Sequence, residues 1–293
     1  MDSLKSGEFE TIVRDSRAAG VDFVAPHGSI GVSQRDILSR HGMPYALAFG
    51  LDGASTGAEK GKRVADAVTA HPNARFSLLD AEGQWDTDKG AGDTTTPKEA
   101  LVMGRTIRAQ HPNACLIDQP WFAMQSHGDE RKVPLSIENG GTFAGFPSDE
   151  FASFINGRCP QVYFRNFHGA DAYAKVMAWH RRDWAEHEKS LDRAGLVRPR
   201  SMTLQGYGHQ ERPQDLIDAM LTPECLNALV VLWWDAQYRS QFPLLLTLIK
   251  ARRHIRVAGG IQAFQTLIGA KPDGIFGPKS VELYNAWLKP CQP

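Results

Sequence analysis

The feature that most constrains this chain is a repeated alternation: seven short, nearly continuous apolar runs, each followed by a stretch with helical periodicity. The runs are Gly20–His27, Pro44–Leu51, Arg75–Glu82, Ala114–Pro120, Gln161–Phe167, Arg200–Tyr207 and Ala228–Asp235. Helical patterns cover Glu8–Ala19, Gln34–His41, Ala58–Ala70, Pro97–Gln110, Ser148–Asn156, Ala170–Ala194, Asp215–Leu221 and Phe242–Arg253, with Ser148 expected as a helix cap. Strands that are apolar on both sides belong to parallel sheets covered by helices. Two α/β architectures satisfy this, a (β/α) TIM-type barrel and a doubly wound open sheet.

Three observations favour the barrel. The turn after the first run, PHGSIG, lacks the GxGxxG spacing of a dinucleotide site. The alternating region of roughly 250 residues has the usual barrel size. Polar or aromatic residues also stand at the carboxyl end of nearly every run: His27, Asp52, Asp80 and Glu82, Asp118 and Gln119, Arg165 and Asn166, Gln205 and Tyr207, Trp234 and Asp235. Barrel active sites are assembled from those ends. Seven strands are counted; Val133–Ile137, inside the long Gly- and charge-rich stretch Trp121–Pro147, is the candidate for an eighth.

The third run carries the chemistry. RFSLLDAEGQWD ends in two carboxylates spaced i, i+2, Asp80 and Glu82, followed by Gly83 and Trp85. Residues i and i+2 of a strand share a face, and a rise of about 3.3 Å per residue sets them roughly 6.5 Å apart. Such a pair can straddle one scissile bond, and a nearby Trp offers a sugar ring a stacking face. Glycosidic cleavage needs one protonated and one ionised carboxyl. Glu82, which Trp85 and the apolar strand could desolvate, is the expected proton donor, and Asp80 the ionised partner. A separation of roughly 6.5 Å lies between the retaining and inverting ranges and leaves the stereochemistry open; an N-acetyl group of the substrate could also serve as nucleophile, with Asp80 orienting it. Asp118 and Asp235 are reserve acids, each more readily read as half of a buried salt bridge to an Arg such as Arg165 than as a catalytic group. Trp85, Trp121, Tyr207 and Trp234 are sugar-stacking candidates, and His27, Arg165 and Gln205 complete the expected substrate-binding set.

Composition narrows the partners. Lys plus Arg (33) balance Asp plus Glu (33), which removes the electrostatic case for nucleic acid or an anionic membrane. The amino terminus has no apolar core of a secretory signal, and the longest apolar runs are too short to span a bilayer. Cys115, Cys159, Cys225 and Cys291 are scattered and read as free thiols, and no His or Cys spacing suits a metal. No cofactor is expected, and the chain reads as a monomer.

Beyond Arg253 the pattern changes to two short helices, Val257–Leu267 and Ser280–Leu288, flanking the turn-rich KPDGIFGPK. IQAFQTLIGAKPDGIFGPKSVELYNAWL resembles the peptidoglycan-binding repeat of cell-wall hydrolases: Gln265, Leu267, Asp273, Gly274, Phe276 and Gly277 match its pattern, and Ser280 stands where Thr is usual. The resemblance implies a two-part chain, a catalytic barrel over 1–253 and a wall-binding module over 254–293, with bacterial peptidoglycan as partner. GVDFVAPH, HGMPYALAFGL and RFSLLDAEG, each separated by a helix, are distantly similar to glycoside hydrolase family 25, barrel lysozymes in which a DxE ends a central strand; Asp80 and Glu82 fall on that motif. The family's GIDVS-like opening has no clear counterpart, and the later strands are not a close match to it. Together the two resemblances imply a lysozyme-like glycosidase of the phage endolysin kind, held in the host cytoplasm until released to the wall. A non-catalytic glycan-binding barrel and a wall amidase or peptidase are the alternatives.

Overall fold

The computed structural model describes residues 6–26, 30–51, 53–81, 85, 93–120, 146–159, 161–162, 189–196, 201–205, 221, 230–234 and 242–288. The chain opens with α1 (Ser6–Ala18), α2 (Val32–Arg40) and β1 (Leu47–Gly50). It continues through α3 (Gly57–Ala70), β2 (Ser77–Asp80), α4 (Pro97–Gln110) and β3 (Leu116–Asp118). Then come α5 (Ser148–Ala152), β4 (Gly157–Arg158), β5 (Gln161–Val162), β6 (Ser201–Gln205) and β7 (Val230–Trp234). Three helices follow, α6 (Phe242–Ala258), α7 (Ile261–Leu267) and α8 (Pro278–Leu288).

Among the described residues every strand pairing is parallel, and within each of two sheets spatial order follows chain order. β1 pairs with β2, β2 with β3 and β3 with β4; β5 pairs with β6 and β6 with β7. Before β1, Val24 bridges Tyr45 in parallel, so the first apolar run contributes one rung. The chain runs from β4 to β5 across Cys159 and Pro160, and a proline has no N–H to offer a ladder. The expected fifth strand therefore starts four residues early and divides at that point, one half pairing on each side. A doubly wound sheet must reverse its strand order at a switch point; among the described strands the order does not reverse, which is the winding of a barrel. The segment Val133–Ile137 lies outside the described residues.

Alternation along the strands separates two apolar layers. Ala48, Leu78 and Cys159, with Phe23, Ala25, Phe76 and Ile117, form the inner one. Leu47, Phe49, Leu79, Ala81 and Leu116 face the other way, onto Val64, Ala100, Met103, Ile107 and Phe151 of the helices. α3 and α4 lie unusually close. A Cβ at Gly61 would come within 2.7 Å of the Met103 carbonyl oxygen, and one at Gly57 would strike the Glu99 backbone. Gly61→Val is accordingly expected to destabilise the protein by about 1–3 kcal/mol despite its distance from any strand, read as a lowered urea midpoint at unchanged slope; an unchanged midpoint would refute the close packing.

Some local expectations shift. α2 starts at Val32, two residues early, because Gln34 reaches back to the Gly31 N–H. Ser148 is not a cap: Pro147 holds that position with no side-chain bond, and the Ser148 carbonyl instead accepts from Arg158. α6 does not stop at Arg253 but runs to Ala258, where Gly259 and Gly260, both at positive φ (87° and 133°), break it. The expected boundary between residues 253 and 254 thus falls inside one continuous helix.

Candidate active site at the carboxyl ends of the strands

Asp80 is the last residue of β2, a strand flanked on both sides. Its parity is that of Phe76 and Leu78, so its carboxylate belongs to the inner layer, and it is 5% exposed. Its lateral neighbours follow from the register. Gly50 of β1 pairs with Asp80, and the Gln119 N–H donates to the Leu79 carbonyl at 2.8 Å, which carries the ladder on to Gln119 beside Asp80. The Cys159 N–H donates to Asp118 O at 2.7 Å and extends the row by one more strand. One level of the inner layer therefore reads Gly50, Asp80, Gln119, Cys159. Gly50, the register partner of Asp80, contributes no side chain to this level.

Asp118 has the opposite parity and a different job. It pairs with Leu79 in the outer layer, is fully buried, and meets the Arg158 guanidinium with Nε at 3.0 and 2.9 Å and Nη2 at 2.7 Å. Arg158 also donates to Ser190 Oγ at 2.8 Å and to the Ser148 carbonyl at 3.0 Å, and lies over the Phe146 ring. Burial pushes the Asp118 carboxyl up from its ordinary value while the guanidinium pulls it back. This pair fastens β3 and β4 to the helical layer. Asp118 is thereby removed from the reserve acids, and its partner is Arg158 rather than the expected Arg165.

Trp85 is corrected as well. It is 0% exposed, with its ring edge-on to Phe151 at 5.1 Å and the Lys60 ammonium 4.9 Å from its centroid. An indole enclosed in this way presents no face to a sugar; it anchors the chain that follows Glu82. Lys60 was not foreseen, although a lysine on the same helical face as Gly57, Gly61 and Val64 was a usable signal. Arg158 was missed too, and its signal was a lone cation at the mouth of an apolar strand.

Gln205 and Trp234 end β6 and β7 and are paired with each other in register. Glu82, Asp235, His27, Trp121, Arg165 and Tyr207 lie outside the described residues. Cys159 is a buried thiol and Cys115 an exposed one.

The residues matching the C-terminal repeat come together, and mostly inside. Gln265 is 1% exposed; its Nε2 donates to Asp273 Oδ1 and to the Ile275 carbonyl, both at 3.0 Å, and its Oε1 accepts from the Gly274 N–H at 2.8 Å. Ser280 Oγ lies 3.5 Å from the same Nε2, and Phe276 stacks on Phe264. Asp273 also accepts the Ile275 N–H, and these bonds hold its carboxyl below the usual range. Gly274 takes the positive φ (80°) that the Asp-Gly turn needs, and Gly277 gives its N–H to the Ile275 carbonyl. The motif builds the turn between α7 and α8; the apolar groups it leaves outside are Leu267 and Ile275.

No family model matches the chain. No curated protein matches it either. Among solved structures it is similar to a candidate alpha-L-fucosidase from Bacteroides thetaiotaomicron, at 10% identity and a TM-score of 0.53, over 86% of this chain and 88% of that one. A candidate lyase/mutase from Burkholderia cenocepacia aligns over 94% of this chain and 87% of its own, at 11% identity and a TM-score of 0.39. At 10% identity the likeness to the fucosidase structure concerns the fold alone, and it agrees with the strand order: this is an α/β protein with a parallel, barrel-type sheet.

Proposed function

We propose that the protein is a glycoside hydrolase that cleaves the glycan backbone of bacterial peptidoglycan, with Glu82 as proton donor and Asp80 as the ionised partner. The observation that carries the reading is the position of Asp80: an inner-layer carboxylate, almost fully buried, ending a central parallel strand with Gly50 as its register partner. Barrel catalysis is placed at that end, and Glu82 follows two residues on. The fold is one on which glycosidases occur, and the substrate is suggested by the C-terminal resemblance, whose Gln265–Asp273 framework is fully assembled. A wall-cleaving unit joined to a wall-binding one would act as an endolysin.

The chemistry divides by environment. A carboxyl among apolar neighbours keeps its proton and can hand it to the leaving oxygen, while the second stabilises the positive charge that develops at the sugar. The test is release of reducing ends from purified peptidoglycan by the native chain and by Glu82→Gln, both checked for folding. Loss of about hundredfold or more is expected on removing a general acid. New amino ends instead of reducing ends would move the enzyme to the amidase or peptidase class, and binding without release by either protein would leave a recognition protein.

A further inference from the structure

Lys60 is 1% exposed, in a position where helix α3 otherwise turns Gly57, Gly61 and Val64 inward. Lysine is almost never fully buried without partners, because its ammonium loses several kcal/mol of hydration there. The partners here lie on two separate stretches of chain. Nζ donates to the Thr94 carbonyl at 2.8 Å and approaches the Gly53 carbonyl at 3.3 Å, while the ammonium sits over Trp85. Thr94 Oγ1 donates to the same Gly53 carbonyl at 2.9 Å. Next to it, Asp93 Oδ1 accepts the Thr95 N–H at 2.8 Å.

These contacts define a place in the fold. Gly53 is three residues beyond Gly50, the register partner of Asp80, on the chain leaving β1. Trp85 and Thr94 both belong to the chain that leaves β2 after Asp80 and enters α4 at Pro97. We infer that Lys60 is a positioning residue for the carboxylate pair: its ammonium ties the exit of β1 to both sides of the connection that carries Glu82. The inference rests on the Asp80/Glu82 reading for its catalytic consequence and on the contacts of Lys60 for its mechanical one. An apolar side chain of the same length would pack against Trp85 equally well, but it could not bind two carbonyls from different segments. A preorganised acid pair needs that rigidity, since small misplacements of catalytic groups are expensive.

The test separates the two parts. Lys60→Met keeps the stem and removes the ammonium; Lys60→Gln keeps a donor without the charge. Amide exchange followed by mass spectrometry is expected to show residues 53–57 and 93–97 exchanging tenfold faster or more in Lys60→Met, with α7 and α8 unchanged and partial recovery in Lys60→Gln. On peptidoglycan, kcat is expected to fall at least tenfold with KM altered less than threefold. Unchanged exchange at both segments overturns the inference whatever the activity, and so does acceleration spread evenly over the whole chain. If Lys60→Met does not fold, Lys60→Gln is read by the same criteria. If the native chain releases no reducing ends, the glycosidase reading falls while exchange still decides the role of Lys60.

Discussion

Arg158→Met is expected to lower the stability of the protein by about 3–5 kcal/mol at pH 7, the usual consequence of leaving a buried charge without its partner. Asp118 would remain at 0% exposure with its guanidinium gone. Its carboxyl, already pushed up by burial and restrained by Arg158, would rise further. The native state of the variant then holds a proton that the unfolded chain, with a carboxyl near 3.9, releases. Proton uptake by the native state makes stability grow as pH falls through the window between the two values. The deficit measured by urea unfolding should therefore be largest at pH 7 and shrink toward pH 5. A deficit that widens on acidification would show that Asp118 is not the orphaned group. Adding Asp118→Leu should return most of the loss, because an apolar pair of similar volume is close to neutral in such sites.

Phe264→Ala carries a comparable cost, about 3–5 kcal/mol, but delivers it elsewhere. Phe264 is fully buried between His254, Phe276, Tyr284 and Trp287, with centroid distances of 6.1, 5.9, 5.4 and 6.3 Å. The cluster is sealed by a 2.8 Å bond between His254 Nδ1 and the Tyr284 hydroxyl; burial raises the phenol and lowers the imidazole, so both stay neutral at pH 7. Removing the central ring opens a cavity among groups that have little else to pack on. Amides of residues 261–288 should exchange faster in the variant, with a separate low-temperature step in calorimetry, while those of β1–β3 keep their rates. A single transition, shifted as a whole, would mean that the C-terminal helices and the barrel unfold only together.

The architecture was legible because its signals are local. Each apolar run falls on a strand or a rung, and glycines 20 and 42, which directly follow the first two helical patterns, take positive φ. The face of each strand residue was much harder to read. In the run ACLIDQP, Asp118 and Gln119 are equally polar, and only the register with Leu79 shows that the acid points to the helices and the amide to the inner layer. Trp85 misled for a related reason. A tryptophan beside acids suggests a sugar platform, but its burial is decided by Phe151 and Lys60, which approach from distant parts of the chain. The Arg158–Asp118 pair, separated by forty residues, had no local trace of its geometry.

The continuity of α6 has a mechanical meaning. Arg253 reaches Asp22 at 3.2 Å and lies against Gly20, while the next residue, His254, is bonded to Tyr284 of α8. Neighbouring residues of one helix thus contact the start of the first apolar run and the C-terminal cluster. The seventeen residues of α6 make a rod of about 25 Å with no slack in it. A chain bound to a surface through α7 and α8 would hold its barrel at a fixed stand-off and a fixed tilt. On the proposed reading as a wall hydrolase, it would work a narrow ring of bonds around its anchor instead of sweeping the disc that a flexible leash permits, and further progress would require letting go.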